Sequence, residues 1–365
     1  MTHLRLAAWL LITCTAALAG RLELKFFHDE EGEQLEFRQI SFVSPRRGLA
    51  IGTLQKGSSR QPLAMVTTDG GQSWTRSALP AEPYSMYCLK DSSCWLVTNK
   101  GIYISAESGT DWKRISREKF ITRVWFNSLQ RGWAIGARRK IVETRDGGKT
   151  WTPIAALQDV KSSENRTVFH DIVFFDGKHG LITGRSERLE PEEVPIWLDA
   201  DPTGRRESPT LSVVLQTTDG GETWKTSTTS MFGRLSELDG HGQLQFAVAV
   251  VEFDRYFNFP SEVYRINLKT GANDRVLRMK DFAVTDVVVL PDGRTLAAGF
   301  RPSGLLARTP VPGKVRVMET TADMELWRDI DVDYRALGHR ATLAYGGAAG
   351  LWVATDGGML LKLVP

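Results

Sequence analysis

An octapeptide, Thr-Thr-Asp-Gly-Gly-Gln-Ser-Trp at Thr67 to Trp74, returns almost unchanged at Thr144 to Trp151 and at Thr217 to Trp224. A worn copy stands at Ser105 to Trp112, and a truncated one, Thr355-Asp356-Gly357-Gly358, lies near the C-terminus. A recurring phrase confines a chain to repeat architectures, in which each unit buries its apolar face only against its neighbours. The phrase itself describes a tight turn. An Asp carboxylate (Asp69, Asp146, Asp219) accepts hydrogen bonds from amides just downstream, and paired glycines (Gly70 and Gly71, Gly147 and Gly148, Gly220 and Gly221) supply positive φ without strain. The following Trp74, Trp151 or Trp224 begins the returning strand with a large apolar anchor. Each copy is expected to close a β-hairpin with its Asp as a structural acceptor, and Asp356 is read the same way.

A second phrase precedes the turn: apolar-x-Phe, a polar turn, then Gly and an apolar strand ending in Gly. It is clear at Ile40 to Gly52, Val124 to Gly136 and Ile172 to Gly184, and weaker at Met86 to Thr98 and Val287 to Gly299. Such phrases start near Ile40, Met86, Val124, Ile172, Leu244, Val287 and Ala341, which makes seven units. The turn acids Asp69, Glu107 and Asp146 are 38 and 39 residues apart, and no helical period is present. Units of about forty residues with four strands each are what propeller blades require. In units five and six the turn word has decayed to Val263 through Ala272 and to Thr320 through Asp323 with Trp327. The expected fold is all-β: a seven-bladed β-propeller of four-stranded antiparallel blades. The last unit ends after its third strand while Arg21 to Phe27 has no blade of its own. This N-terminal strand is therefore expected to close the last blade and remove two exposed sheet edges.

The start of the chain reads as an export leader: Arg5, an apolar run over Leu6 to Leu18, and Ala17-Leu18-Ala19 as the cleavage signal. The expected mature chain is residues 20–365, exported to a periplasmic, lumenal or secreted location, with no membrane span. A lipid-anchored form on Cys14 is the lesser option, since Thr13 before it fits a lipobox poorly. Cys88 and Cys94 then remain, on the two arms of a short hairpin, and a disulfide is expected between them. Net charge is only +3 over 365 residues, so nothing forces nucleic-acid or membrane-surface binding. The six histidines show no metal-ligand spacing, and neither metal nor cofactor is expected. The largest departure from the repeat is the insertion at 185–210, rich in Pro and charge, with Trp197 in its only apolar cluster.

Thr-x-Asp-Gly-Gly-x-Thr/Ser-Trp resembles the Asp-box, or BNR repeat, of sialidases and sortilin-type receptors. Its pairing with Arg-Gly-Trp-Ala-Ile-Gly at Arg131 to Gly136, and the seven-unit count, resemble the photosystem II stability and assembly factor family. The resemblance covers Ile40 to Gly358 and is faint between Ser261 and Asp333. It implies a non-enzymatic, exported propeller that binds protein partners of a membrane-associated complex; the chain is expected to be a monomer. It also directs attention to basic residues on the loops between second and third strands, opposite the Asp-boxes: Lys56, Arg60, Lys100, Arg138, Arg139, Lys140, Arg185, Arg188, Arg205, Arg206, Arg255 and Arg301. Of these, Arg138, Arg139, Lys140, Arg185, Arg205, Arg206 and Arg301, together with Trp197, are the candidate partner-binding residues.

Two competing readings are a secreted Asp-box glycoside hydrolase and a non-catalytic glycan-binding propeller. A sialidase needs an Arg-Ile-Pro segment, which is absent; Phe37-Arg38-Gln39-Ile40 is a poor substitute. A glycosidase needs two carboxylates facing across a cleft. Asp171, Asp176, Asp254 and Asp286 are available, but Asp176 and Asp254 read as turn acids and nothing in the sequence pairs the others.

Overall fold

The computed structural model describes residues 20–89, 93–106, 109–187, 209–253, 259–302 and 312–365. Strands follow one another in antiparallel hairpins, and five four-stranded sheets span residues 33–78, 83–116, 121–153, 167–231 and 233–278. A sixth blade covers 283–332, and the seventh takes Ala341–Tyr345, Leu351–Thr355 and Met359–Val364. Its fourth strand is Arg21–Phe27, which pairs antiparallel with Met359–Val364 as expected. The first strands of successive blades contact one another, and that of blade seven meets that of blade one, so the sheets form a closed ring. The fold is the seven-bladed propeller the repeats imply.

Two details differ from the sequence reading. Unit five does not begin at Leu244: its first strand is Gly233–His241, and Phe246–Phe253 is the second. The first strand carries Arg234, Ser236, Glu237 and Asp239, so it lacks the apolar-x-Phe pattern that marks the other units. The Asp356 turn, in turn, is not an Asp-box. It joins the second and third strands of blade seven, whereas the boxes at Asp69, Asp146 and Asp219 join third to fourth. Its Asp stands one residue after the Thr rather than two, and its carboxylate accepts the amides of His339 and Arg340 at 2.9 and 3.1 Å instead of closing its own turn.

The true boxes share one hydrogen-bond pattern. Thr67, Thr144 and Thr217 Oγ1 accept the amides of Gly71, Gly148 and Gly221 at 2.8, 2.9 and 2.8 Å. Asp69 Oδ1 accepts the amides of Gln72 and Ser73 at 2.9 and 3.0 Å, and Asp146 and Asp219 repeat the contact with Thr150 and Thr223, both at 2.9 Å. Hydroxyl donation from Thr150 and Thr223, aided by these amides, holds the carboxyls of Asp146 and Asp219 down at about 2, and Ser73 lowers Asp69 in the same way. These acids are acceptors locked in the ionised form.

The two repeated phrases interlock between blades. Trp352, Trp95 and Trp133, the second-strand residues of blades seven, two and three, are fully buried. Each meets the Phe of the next blade, and Trp352 also its box Trp: Trp352 with Phe42 and Trp74 at 5.2 and 5.5 Å, Trp95 with Phe126 at 3.8 Å, and Trp133 with Phe174 at 4.5 Å. Trp151 and Trp224 stand edge-on to Phe126 and Phe174 at 6.1 and 5.7 Å. A Cβ on Gly71 or Gly221 would overlap the ring of Trp352 or Trp133, and Trp95 Nε1 donates to the carbonyl of Gly147 at 3.0 Å. The Gly-Gly pair thus serves both the left-handed turn (Gly221 φ 85°) and the seat of the neighbouring indole. Cys88 and Cys94 sit directly opposite one another in blade two and form the expected disulfide, Cα atoms 4.0 Å apart.

Candidate functional site: the channel mouth opposite the Asp-boxes

Every first strand of blades one to six slips register once, at Phe37/Gln39, Pro83/Ser85, Ile121/Arg123, Phe169/Asp171, Leu235/Glu237 and Val284/Asp286. Such bulges re-aim side chains at barrel and ring rims. The residue after each bulge is polar, and most of these residues tie one blade to the next. Gln39 Oε1 accepts Met86 N at 2.8 Å, Asp171 Oδ2 accepts Leu238 N at 2.6 Å, and Asp286 Oδ2 accepts Leu343 N at 2.7 Å. Ser85 Oγ donates to the Thr122 carbonyl at 2.8 Å, and Asp239 adds a further tie to Val289 N at 2.6 Å. Asp171 and Asp286, weighed above as glycosidase acids, are therefore engaged by backbone amides. Asp176 accepts the amides of Lys178 and His179, both at 2.6 Å, as a turn acid does. Asp254 lies outside the described residues.

Within this ring, a cavity of about 300 Å³ opens on the face away from the boxes, lined by Arg123, His170, Arg234, Ser236, Glu237, Glu252, Thr285, His339 and Arg340. Arg123 pairs with Asp171 and, at 3.3 Å, with Glu237. Arg340 reaches Glu237 at 3.4 Å and Arg234 reaches Glu252 at 2.6 Å. Three guanidiniums are thus matched by three carboxylates. His170 Nε2 and Ser236 Oγ are buried without a hydrogen-bond partner among the described residues. Burial, and the nearby Arg234, Arg185 and Arg123, push His170 down to about 3, so its imidazole is neutral. Burial raises Asp171 to about 6 against the pull of Arg123. The Asp356 turn fixes the loop that carries His339 and Arg340. The site is rich in oriented N–H donors with two unsatisfied polar atoms, which suits charge-assisted hydrogen bonding to a polar polypeptide group.

The predicted basic residues fare unevenly. Arg138, Arg139 and Lys140 form the turn between the second and third strands of blade three, and the two arginines have φ of 55° and 57°. Arg138 is exposed and lies 4.4 Å over the Phe120 ring. Arg139 donates to the carbonyls of Ser162, at 3.4 Å, and Leu157, while Lys140 pairs with Glu118. Arg185 pairs with Glu187, Lys56 with Glu33 at 2.9 Å, and Arg60 with Glu82 at 2.8 Å. Arg301 is exposed at the end of its strand. Trp197, Arg188, Arg205, Arg206 and Arg255 lie outside the described residues. The sequence reading missed Arg123, His170, Arg234, Glu237, His339 and Arg340, because they stand ahead of the apolar phrases used to count blades. The signal was a polar or charged residue directly before a buried apolar one in each of these first strands: Gln39-Ile40, Ser85-Met86, Arg123-Val124, Asp171-Ile172, Glu237-Leu238 and Asp286-Val287.

Fold and boxes together define an Asp-box β-propeller with a charged channel mouth. The family model that matches is that of the photosynthesis system II assembly factor YCF48, over residues 114–190. The photosystem II assembly lipoprotein Ycf48 of Synechococcus sp. (strain CC9902) is 21% identical over 280 residues, 71% of this chain and 77% of that protein. Among solved structures, YCF48 from Cyanidioschyzon merolae superposes with a TM-score of 0.61 at 16% identity, over 94% of this chain and 99% of that one. YCF48 bound to a D1 peptide gives 0.60 at 13% identity, over 93% and 99%. These matches bear out the resemblance carried by the repeats: the chain is similar to photosystem II assembly factors in sequence and shares their fold.

Proposed function

We propose that this chain is an exported, non-enzymatic assembly factor that binds a protein partner belonging to a membrane complex, and that the partner docks over the channel mouth. The observation that carries this reading is the cavity itself: three arginines, two histidines and two unsatisfied polar atoms gathered where the boxes do not reach. A structural relative bound to a D1 peptide supports a peptide partner for this kind of ring. The leader-like N-terminus, the disulfide and a relative described as a lipoprotein support export. No helix among the described residues is long and apolar enough to cross a membrane. The mature propeller, residues 20–365, acts as a monomer, with Arg138, Arg185 and Arg301 on the rim of the same face. The hydrolase alternative is weakened because Asp171 and Asp286 are committed to backbone amides.

The test is affinity capture from the membrane fraction of the source cells with tagged protein and its Arg234→Glu/Arg340→Glu variant. Co-purification of a defined membrane complex by the wild type and its loss in the variant are expected. Hydrolysis of a chromogenic glycoside panel by the clean wild-type protein would overturn the proposal.

A further inference from the structure

The outermost strand of a blade leaves a row of backbone N–H and C=O groups unpaired, and folded proteins guard such edges with shortness, charge, proline or a covering strand. Most outer strands here are guarded. Those of blades one and two have four residues each, Thr75–Ala78 and Lys113–Ser116, and that of blade three has two, ending in Pro153. The blade-five strand Asn273–Arg278 carries Asp274, Arg275 and Arg278, and in blade six Asp331 and Val332 pair in parallel with Arg21 and Leu22.

Blade four differs. Its outer strand, Lys225–Met231, has seven residues, one charge and no proline, and five of the seven are Ser or Thr. It pairs with Thr210–Thr217 along its whole length, so its outer edge is straight and in register. Two adjoining depressions of about 460 and 500 Å³ flank it, both walled by Lys161. Trp224 and Thr226 line the first, and Arg166, Leu211 and Ser230 the second. Thr226 Oγ1 is buried there with no partner among the described residues. Lys161 and Lys225 are exposed cations beside the edge, and the one acid among the described residues lining the second depression, Glu187, is held by Arg185.

We infer that Lys225–Met231 is a strand-addition edge that takes an extended, acidic polypeptide segment of a partner. Backbone pairing supplies a sequence-tolerant grip, and the carboxylates of the segment meet Lys161, Arg166 and Lys225. The edge lies on the outer rim, away from the channel mouth, and the inference stands apart from the docking proposed there.

The probe is a short capped peptide of alternating valine and glutamate, with its valine-lysine counterpart as the control. Hydrogen exchange of the full-length mature protein, read by mass spectrometry, is expected to slow within residues 225–231 on adding the glutamate peptide only. Lys161→Glu/Lys225→Glu, both at exposed positions, is expected to weaken that peptide about tenfold, from two exposed charge pairs, and to transfer the protection to the lysine peptide. Absence of protection in 225–231, or protection indifferent to peptide charge and to the double variant, would overturn the inference.

Discussion

A methyl group on Gly221 tests the interlock between blades. Gly221 has φ 85°, and a Cβ there would enter the Trp133 ring. Gly57 is the control: its φ is 56° and no atom lies within 4 Å of where its Cβ would stand. Gly57→Ala then reports the left-handed backbone alone, about 1–2 kcal/mol. Gly221→Ala adds overpacking against a fully buried indole, a further ~1–3 kcal/mol. The difference is readable as a shift in urea midpoint followed by far-ultraviolet circular dichroism at constant slope. Trp133→Leu, which removes the obstructing ring, is expected to shrink the added cost of Gly221→Ala in a double-mutant cycle. Equal costs at Gly57 and Gly221, or no coupling to Trp133, would refute the claim that the second box glycine exists to seat the neighbouring blade.

Other consequences can be checked on the same protein. Burial raises Asp239 to about 7 and Asp171 to about 6, above an unfolded value near 4; their contribution is full below about pH 4 and is lost as pH rises toward 7. Asp239→Asn should flatten that part of the stability profile, measured by urea midpoints across the range. The box acids Asp146 and Asp219 act oppositely, contributing above about pH 4 and losing it as pH falls toward 2. Asp356→Ala strips the acceptor from the His339 and Arg340 amides, which should cost about 1–3 kcal/mol and weaken partner capture. Non-reducing thiol titration of the mature protein should find no free Cys88 or Cys94, and Cys88→Ser/Cys94→Ser should cost about 2 kcal/mol.

The ring was legible because its information is local and repeated. The spacing of Asp69, Glu107 and Asp146 announced the blades, and the orphan Arg21 to Phe27 announced the clasp. What escaped was anything set by the ring as a whole. Asp356 mimics a box in sequence, yet its place after a second strand puts it on the other face, a distinction the local words do not carry. The first strand of blade five was missed because Arg234, Glu237 and Asp239 face a polar channel and each other's blades, so no apolar alternation marks them. The same reason hid the cavity: Arg123, Glu237 and Arg340 come from three blades and lie up to 217 residues apart in the chain. Basic loop residues, by contrast, were easy to see, and several prove to be tied to neighbouring acids or carbonyls, as Lys140 is to Glu118.

The central claim is that the boxes build the ring while the opposite face meets the partner. Site-specific photocrosslinking tests it most directly, with a benzophenone side chain placed either at Tyr84, exposed beside the channel-mouth bulge of blade two, or at Lys149, exposed in the box of blade three. Incubated with the membrane fraction and irradiated, the Tyr84 position should yield a discrete adduct and the Lys149 position none. An adduct from Lys149 with none from Tyr84 would contradict the account.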